Sequence, residues 1–355
     1  MAVIDLTNPE DTNRVVNELK KHFAYHSIWE YEDFLGDGEY AVAVLVRKRS
    51  RTTNDHRMVL KKAKGRDSEN QLKNEISWLK RLRGAEHIVR MLAAHDGTMS
   101  TSAGSVSGSA LQGLTNPIMA MQYLENGSFS RLMERLRQKN MHLPNRILWS
   151  FFLCLVRACV GLAYPPDGRE EDSPELEAIP TDGRLPTDLY HGDLHAGNIM
   201  IGDIDPKSAE HYLAPVVEFI DFGEAAENSE YGVTENLYKI SLRMLGLIAR
   251  GEIRLRRAES EYNGIRTLAT EILPGGNGAR YPRLDPDLRD LLARCVSTQR
   301  KHRPGLQEML EITRNAVETK DASSFKPNQA YESDEAISII LRTLIFDGDT
   351  APFRL

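Results

Sequence analysis

The stretch Tyr190-His191-Gly192-Asp193-Leu194-His195-Ala196-Gly197-Asn198-Ile199-Met200, followed by Ile220-Asp221-Phe222-Gly223, constrains this chain more than any other feature. Each half ends or begins on an apolar run, as a loop does when it sits at the tip of short strands. Between them they gather a carboxylate, an amide and a second carboxylate, all hard oxygen donors suited to a divalent cation and a hydroxyl group. Neither half is informative alone, because Asp-Phe-Gly arises by chance in turns; their order and apolar flanks give the pair its weight. Upstream, Phe34-Leu35-Gly36-Asp37-Gly38-Glu39-Tyr40-Ala41-Val42-Ala43 reads as strand, glycine turn, strand. Gly36 and Gly38 let backbone N–H groups approach an anion without a Cβ in the way. A further strand, His56-Arg57-Met58-Val59-Leu60-Lys61, ends on a lysine with Lys62 beside it. Leu72, Ile76, Leu79 and Leu82 then recur at three- and four-residue spacing, which predicts a helix from about Glu69 with Glu75 next to its buried stripe.

In this order the motifs resemble the protein-kinase-like superfamily, over roughly residues 28 to 317. The resemblance implies an α+β, bilobal protein-kinase-like fold: a small antiparallel β lobe with one helix, and a larger, mainly helical lobe. It implies ATP and Mg²⁺ as cofactors, with Asp193 orienting the attacking hydroxyl and Asn198 and Asp221 holding the metal. Lys61 would grip the phosphates, positioned by Glu75, with Lys62 pointing away. Gly36, Asp37, Gly38, Ala41, Ala43, Val59 and Met200 would surround the nucleotide; Ala41 and Ala43 replace the family's third glycine and valine. Ile118 to Phe129 resembles a hinge. There Met121 would guard the back of the adenine pocket, the backbone of Gln122, Tyr123 and Leu124 would bond adenine, and Ser128 would lie near the ribose. His87 to Leu92 resembles the next strand of the small lobe. Asp285 to Ala293 and Arg303 to Leu310 resemble the terminal helices of the large lobe.

Three departures bear on the acceptor. Gly192 replaces the arginine that usually precedes the catalytic aspartate and pairs with a phosphorylated loop. His195 stands where protein kinases usually carry lysine, and the string HGDLHAGN is similar to that of aminoglycoside and choline phosphotransferases. The segment after Gly223 is short and lacks Ala-Pro-Glu, and Asn236 occupies the usual aspartate position of the large central helix. The Asp193 to Asp221 spacing is longer than usual, with the excess in Asp203 to Pro215, a loop expected to leave the site unaltered. Together with Pro165-Pro166, these features resemble a group of filamentous-fungal kinase-domain proteins. The expected function is transfer of the ATP γ-phosphate to a protein Ser/Thr hydroxyl. A small-alcohol kinase and a non-catalytic pseudokinase scaffold remain as alternatives.

At 355 residues the chain suits two lobes, each with its own core. A net charge of −6 without a long basic block argues against nucleic acid as partner and leaves a protein substrate or a small alcohol. Cys154, Cys159 and Cys295 are too few for a disulfide framework. Cys154 and Cys159 are expected as small buried hydrophobes, and no Cys or His cluster lies at zinc-ligand spacing along the sequence. His191 and His195 flank Asp193 in a loop, so they are not expected to act as a helical metal pair. No signal pattern opens the chain, and the apolar helix expected at 148–162 is too short and carries Arg157; the expectation is no membrane association and an intracellular, cytoplasmic or nuclear location.

The predicted organisation is an N-terminal helical extension over 1–27, with Val15, Val16, Leu19 and Phe23 on one side of a helix. The small lobe follows over 28–124, with a flexible insertion at about 96–116, rich in Ser, Gly and Thr. The large lobe spans 125–317, with a second insertion at about 165–187. A tail over 318–355 holds a helix at 333–344 able to dock on the large lobe.

Overall fold

The computed structural model describes residues 9–50, 57–96, 100–101, 106–115, 117–169, 172–227, 231–251, 259–275 and 281–347. Helix α1 (Pro9–Ala24) opens it and is followed by strands β1 (Trp29–Asp37), β2 (Ala41–Lys48) and β3 (Arg57–Ala63). Then come α2 (Glu69–Arg81), β4 (Met91–His95), the two-residue β5 (Ser100–Thr101), a short turn of helix α3 (Val106–Ser109) and β6 (Ile118–Gln122). The six strands form one sheet in the order β1-β2-β3-β6-β4-β5, and every neighbouring pair is antiparallel.

The pleat of this sheet divides its residues between two faces. Val42, Val44, Val46, Met58 and Leu60 pack beneath Val15, Leu19 and Phe23 of α1 and beneath Ala110, Leu111 and Leu114. Ala43, Leu45 and Val59 lie on the opposite face, in one apolar cluster with Leu72, Ile76 and Leu79 of α2. The described part of the 96–116 insertion is therefore packed rather than loose. His22 of α1 and His26 just beyond it hydrogen-bond the carbonyls of Ala110 and Ser109, at 3.2 and 3.1 Å. A compositional signal for flexibility misses Leu111 and Leu114, two apolar anchors with a helix to bury against.

Strand β4 begins four residues later than the predicted His87–Leu92 strand. The intervening backbone is committed elsewhere: Val89 N–H donates to Phe219 and Phe219 N–H donates to His87, each at 3.0 Å. Those bonds tie the small lobe to the large one.

The large lobe holds α4 (Phe129–Gln138), α5 (Asn145–Ala163), a two-strand ribbon β7 (Ile199–Ile201) and β8 (Val217–Phe219), and α6 (Gly232–Ala249). A second ribbon, β9 (Ser260–Tyr262) with β10 (Ile265–Thr267), precedes α7 (Pro286–Cys295), α8 (Leu306–Thr319) and α9 (Asp334–Leu341). Helix α5 is longer than predicted, and its 19 residues are apolar enough to cross a bilayer. However, 94% of its apolar window is buried, as befits the core helix of the lobe. Arg157 within it is held by Glu210 and the carbonyl of Glu177.

The described part of the 165–187 insertion forms a strap without helices. Its backbone bonds Arg81, Arg83, Gly84 and Glu86 at 2.8 to 3.2 Å, bracing the turn between α2 and β4. The tail docks on the large lobe. Glu332, buried on it, accepts from the backbone N–H and side-chain amide of Asn145, both at 2.8 Å, while Arg135 donates to Leu344 at 2.7 Å.

Candidate active site

Strand β3 carries both candidate lysines, and the alternation of the sheet separates them. Lys62 shares the face of Met58 and Leu60; it lies fully buried beneath α1, where its ammonium meets the Thr115 carbonyl and, at 3.4 Å, Glu18. Lys61 emerges on the other face. Its Nζ stands 2.7 Å from Glu75 Oε2 and 2.7 Å from Asp221 Oδ1. Burial works against the Lys61 charge, yet Asp221 and Glu75 together hold its pKa above the ordinary lysine value. Burial pushes the Glu75 carboxyl up to about 7, against the pull of the ammonium. Burial also disfavours the Asp221 charge, but Lys61 overrides it and keeps that carboxyl below the usual range. Two carboxylates thus share one ammonium at the base of the cleft.

Helix α2 is clamped to the segment after Asp221 by residues that motif matching overlooked. Asn74 Nδ2 donates to the carbonyls of Gly223 and Ala225, at 3.0 and 3.1 Å. Trp78 Nε1 donates to Ala225 at 2.9 Å, one helical turn further on. Arg81 stacks on Trp78 and reaches Glu227 at 2.9 Å. These residues flank Glu75 at helical spacing, and polar side chains beside a buried acid were the available signal.

The loop around Asp193 is pinned from beneath. Asn198 donates its side-chain amide to the Asp193 carbonyl at 2.9 Å and to its carboxylate at 3.2 Å. His195 places Nε2 3.5 Å from Asp193 Oδ2, while its Nδ1 accepts from Gly197 N–H. Through this contact His195 depresses the Asp193 pKa and its own is raised. About half of the Asp193 side chain is exposed, so its carboxylate faces incoming groups. His191 does something different: fully buried and held neutral by that burial, it bridges to the Ile220 carbonyl at 2.9 Å and packs on Phe222. Its backbone N–H donates to Asn236, whose amide returns to Leu189. Asn236 therefore ties α6 to the loop with both ends of one side chain. Asp221 adopts a left-handed backbone, φ 65°, which turns its carboxylate towards the cleft.

The residues assigned to the nucleotide divide into those on the cleft and those used otherwise. Leu35, Ala43, Val59, Met121, Leu124 and Met200 belong to one continuous apolar cluster at the junction of the lobes. The backbone of Gln122 already donates to Arg90 at 2.9 Å, and Tyr123 is half-buried against the cluster. Gly36 lies near the end of β1, paired with Ala43, and Gly38 opens the β1–β2 turn, which its N–H closes by donating to Ala41 at 3.0 Å. Asp37 turns its carboxylate to Thr12 of α1, at 2.7 Å, and to Lys64. Ser128, expected near the ribose, is fully buried and caps α4 by accepting from Arg131 N–H. It offers no surface to a sugar.

Cys159 is a buried apolar residue, as expected. Cys154 is not merely that: its Sγ lies 4.0 Å from His211 Nδ1 and close to His87. Spacing along the chain cannot reveal three residues that only the tertiary fold brings together.

No protein-family model matches the chain, and no curated protein matches it. Among solved structures, it resembles a chain in the CAK complex of Chaetomium thermophilum bound to ATP-gamma-S. That match has a TM-score of 0.52 at 16% identity and covers 84% of this chain and 93% of that one. Together with the two lobes described above, the likeness makes this a protein of the bilobal protein-kinase-like fold.

Proposed function

We propose that this protein is an ATP-dependent phosphotransferase that acts on a protein Ser/Thr hydroxyl. The observation that carries the proposal is the Glu75–Lys61–Asp221 chain of contacts, each 2.7 Å, beside Asp193 and Asn198. Lys61 would neutralise phosphate charge from a fixed position, because Glu75 and α2 hold it in place. Asp193, kept ionised and half-exposed, would orient the hydroxyl and take its proton. The apolar junction of Ala43, Val59, Met121, Leu124 and Met200 would receive the adenine and exclude water. Asp221 and Asn198 supply oxygen donors of the kind Mg²⁺ prefers, and Mg²⁺ would offset charge on the phosphates when bound. Use of ATP implies a location inside the cell.

A small alcohol as acceptor is the second reading. It is favoured by the segment after Gly223, which folds straight back to pair Ala226 with Tyr190 at 3.0 and 3.1 Å. That leaves little chain from which to build a platform for a peptide. A pseudokinase scaffold draws no such support, since the residues the chemistry needs are present.

The test is nucleotide binding and turnover by the purified protein. Expected are a Mg²⁺-dependent thermal shift with ATP, lost or much weakened in Asp221→Ala, and phosphate release abolished in Asp193→Asn. A wild-type protein with no Mg-dependent shift and no turnover would remove the enzyme reading. Labelled ATP offered to lysate protein and to a metabolite pool separates the two acceptors.

A further inference from the structure

Outside the cleft motifs, three chemically able side chains meet inside the protein. His87 lies between α2 and β4, Cys154 in the middle of α5, and His211 in the loop between β7 and β8. All three are buried, at 0%, 1% and 1% exposure. One nitrogen of each ring and the sulfur lie within 4.8 Å of one another, and the two rings are 5.2 Å apart. A cation with sulfur and nitrogen bonds of about 2.3 and 2.0 Å in tetrahedral geometry needs its S and N ligands about 3.5 Å apart. The 4.0 Å between Cys154 Sγ and His211 Nδ1 is therefore half an ångström from a ligating separation.

The surroundings fit a cation better than a plain hydrogen-bond network. His87 Nδ1 is 2.6 Å from Glu177 Oε2, and the other oxygen of Glu177 accepts the His87 backbone N–H at 2.8 Å. This fixes the ring and leaves His87 Nε2 on the cluster side, fully buried and facing the Cys154 sulfur, without a hydrogen bond of ordinary length. An unpaired buried nitrogen is costly, and a native protein seldom keeps one without a use for it. His211 turns Nδ1 towards the sulfur, and its Nε2 lies 3.6 Å from Glu86, within ion-pair reach but not hydrogen-bonded. A carboxylate behind each imidazole is the usual support of a metal-bound histidine. The thiolate with Glu177 and Glu86 also supplies the negative charge that a buried divalent ion requires. Arg157 locks the flanking segments by binding Glu210 and the Glu177 carbonyl.

We propose that Cys154 Sγ, His87 Nε2 and His211 Nδ1 form a structural Zn²⁺ site that staples the α2–β4 turn and the β7–β8 loop to α5. The ligand set is borderline-soft and closed to solvent, which suits a redox-inert d¹⁰ ion. A fourth position remains for a water or a neighbouring carboxylate. The β7–β8 loop, an apparent spacer in the sequence, thereby acquires a purpose.

The test uses the full chain. The protein is unfolded with a chelator and refolded with equimolar Zn²⁺ or without metal; bound metal is then measured by mass spectrometry after gel filtration in mild chelator. Expected are one zinc per chain, a higher melting temperature for the zinc-loaded form, and full zinc retention in Asp221→Ala. Cys154→Ser and His211→Gln should lose the metal while keeping native far-ultraviolet circular dichroism. In wild-type protein refolded with Co²⁺, a near-ultraviolet thiolate-to-cobalt charge-transfer band reports the sulfur ligand even if the variants do not fold. Refolded wild-type protein that holds no zinc, zinc that persists in Cys154→Ser, or cobalt binding without that band would each overturn the assignment.

Discussion

The α-carbon of Gly192 sits directly against the backbone of Glu224: a Cβ at Gly192 would stand 2.1 Å from the Glu224 carbonyl oxygen. Its φ of 81° adds a second reason for glycine. Gly192 fills the place where the protein-kinase pattern carries arginine, so that arginine is excluded by space and backbone conformation as well as absent. Gly192→Ala should lose about 3 kcal/mol of stability or more, from left-handed strain together with an immovable backbone contact. Gly192→Arg should fare no better and gain no phosphate receptor. Chemical denaturation measures both, and an alanine variant within about 0.5 kcal/mol of wild type would show that the loop has another conformation.

Lys61 and Lys62 are adjacent in sequence but lie on opposite faces of β3, so their substitution should have unlike effects. Lys61→Met should lower phosphotransfer by roughly a hundredfold or more, the usual scale for removing one preorganised charge contact. Lys62→Met should leave turnover per folded molecule within about twofold, because its ammonium is occupied by Thr115 and Glu18 beneath α1. Active-site titration normalises both rates. Loss of turnover in Lys62→Met alone would reverse the choice of lysine.

Activity should not depend on phosphorylation of the segment after Gly223. Thr234 donates its hydroxyl to the Tyr231 carbonyl at 2.9 Å, and glycine, not arginine, stands immediately before Asp193. Ser229 lies outside the described residues. Phosphatase treatment, and separately the changes Ser229→Ala, Tyr231→Phe and Thr234→Val, should leave the rate within about twofold, because a phosphate here meets acidic neighbours. A large fall in both experiments would point to Arg300, whose guanidinium stacks 4.2 Å from the Tyr231 ring centre. Lys239, the nearer cation by sequence, already pairs with Glu235 at 3.6 Å.

The tail is held by a buried acid. Glu332 receives the Asn145 backbone and side chain and the Arg146 N–H, at 2.8, 2.8 and 3.1 Å. Glu332→Ala strands those donors and should cost about 3 kcal/mol. Limited proteolysis should then release the segment beyond residue 326 sooner than in wild type. Unchanged protection would mean that the apolar contacts of α9 suffice by themselves.

The parts of the site that were legible in the sequence are the locally encoded ones. Asp193 and Asn198 lie within one loop, Asp221 within a four-residue turn, and Lys61 at the end of an apolar run, so short windows expose them. The two-lobed architecture is legible only through the family resemblance that their order carries. What stayed hidden depends on backbone pairing or on convergence in space. Strand β4 begins later than the apolar run at His87–Leu92 suggests because His87 and Val89 bond to β8 and not to their own sheet. Resemblance alone points Ser128 and Asp37 at the nucleotide, whereas helix capping and a contact with α1 claim their side chains. Asn74, Trp78 and the meeting of Cys154 with two histidines required α2, α5 and a distant loop to be assembled first.

Helix α1 also has a practical consequence. The boundary suggested by motif matching, near residue 28, runs along the edge of a hydrophobic seal. A chain cut there would uncover part of the face formed by Val42, Val44, Val46, Met58 and Leu60, each fully buried in the intact protein and together spanning two adjacent strands. A contiguous oily sheet face of that kind is adhesive in water. The shortened protein should therefore be sticky and poorly behaved however intact its catalytic motifs, and a failed assay on it would report on clumping, not on chemistry.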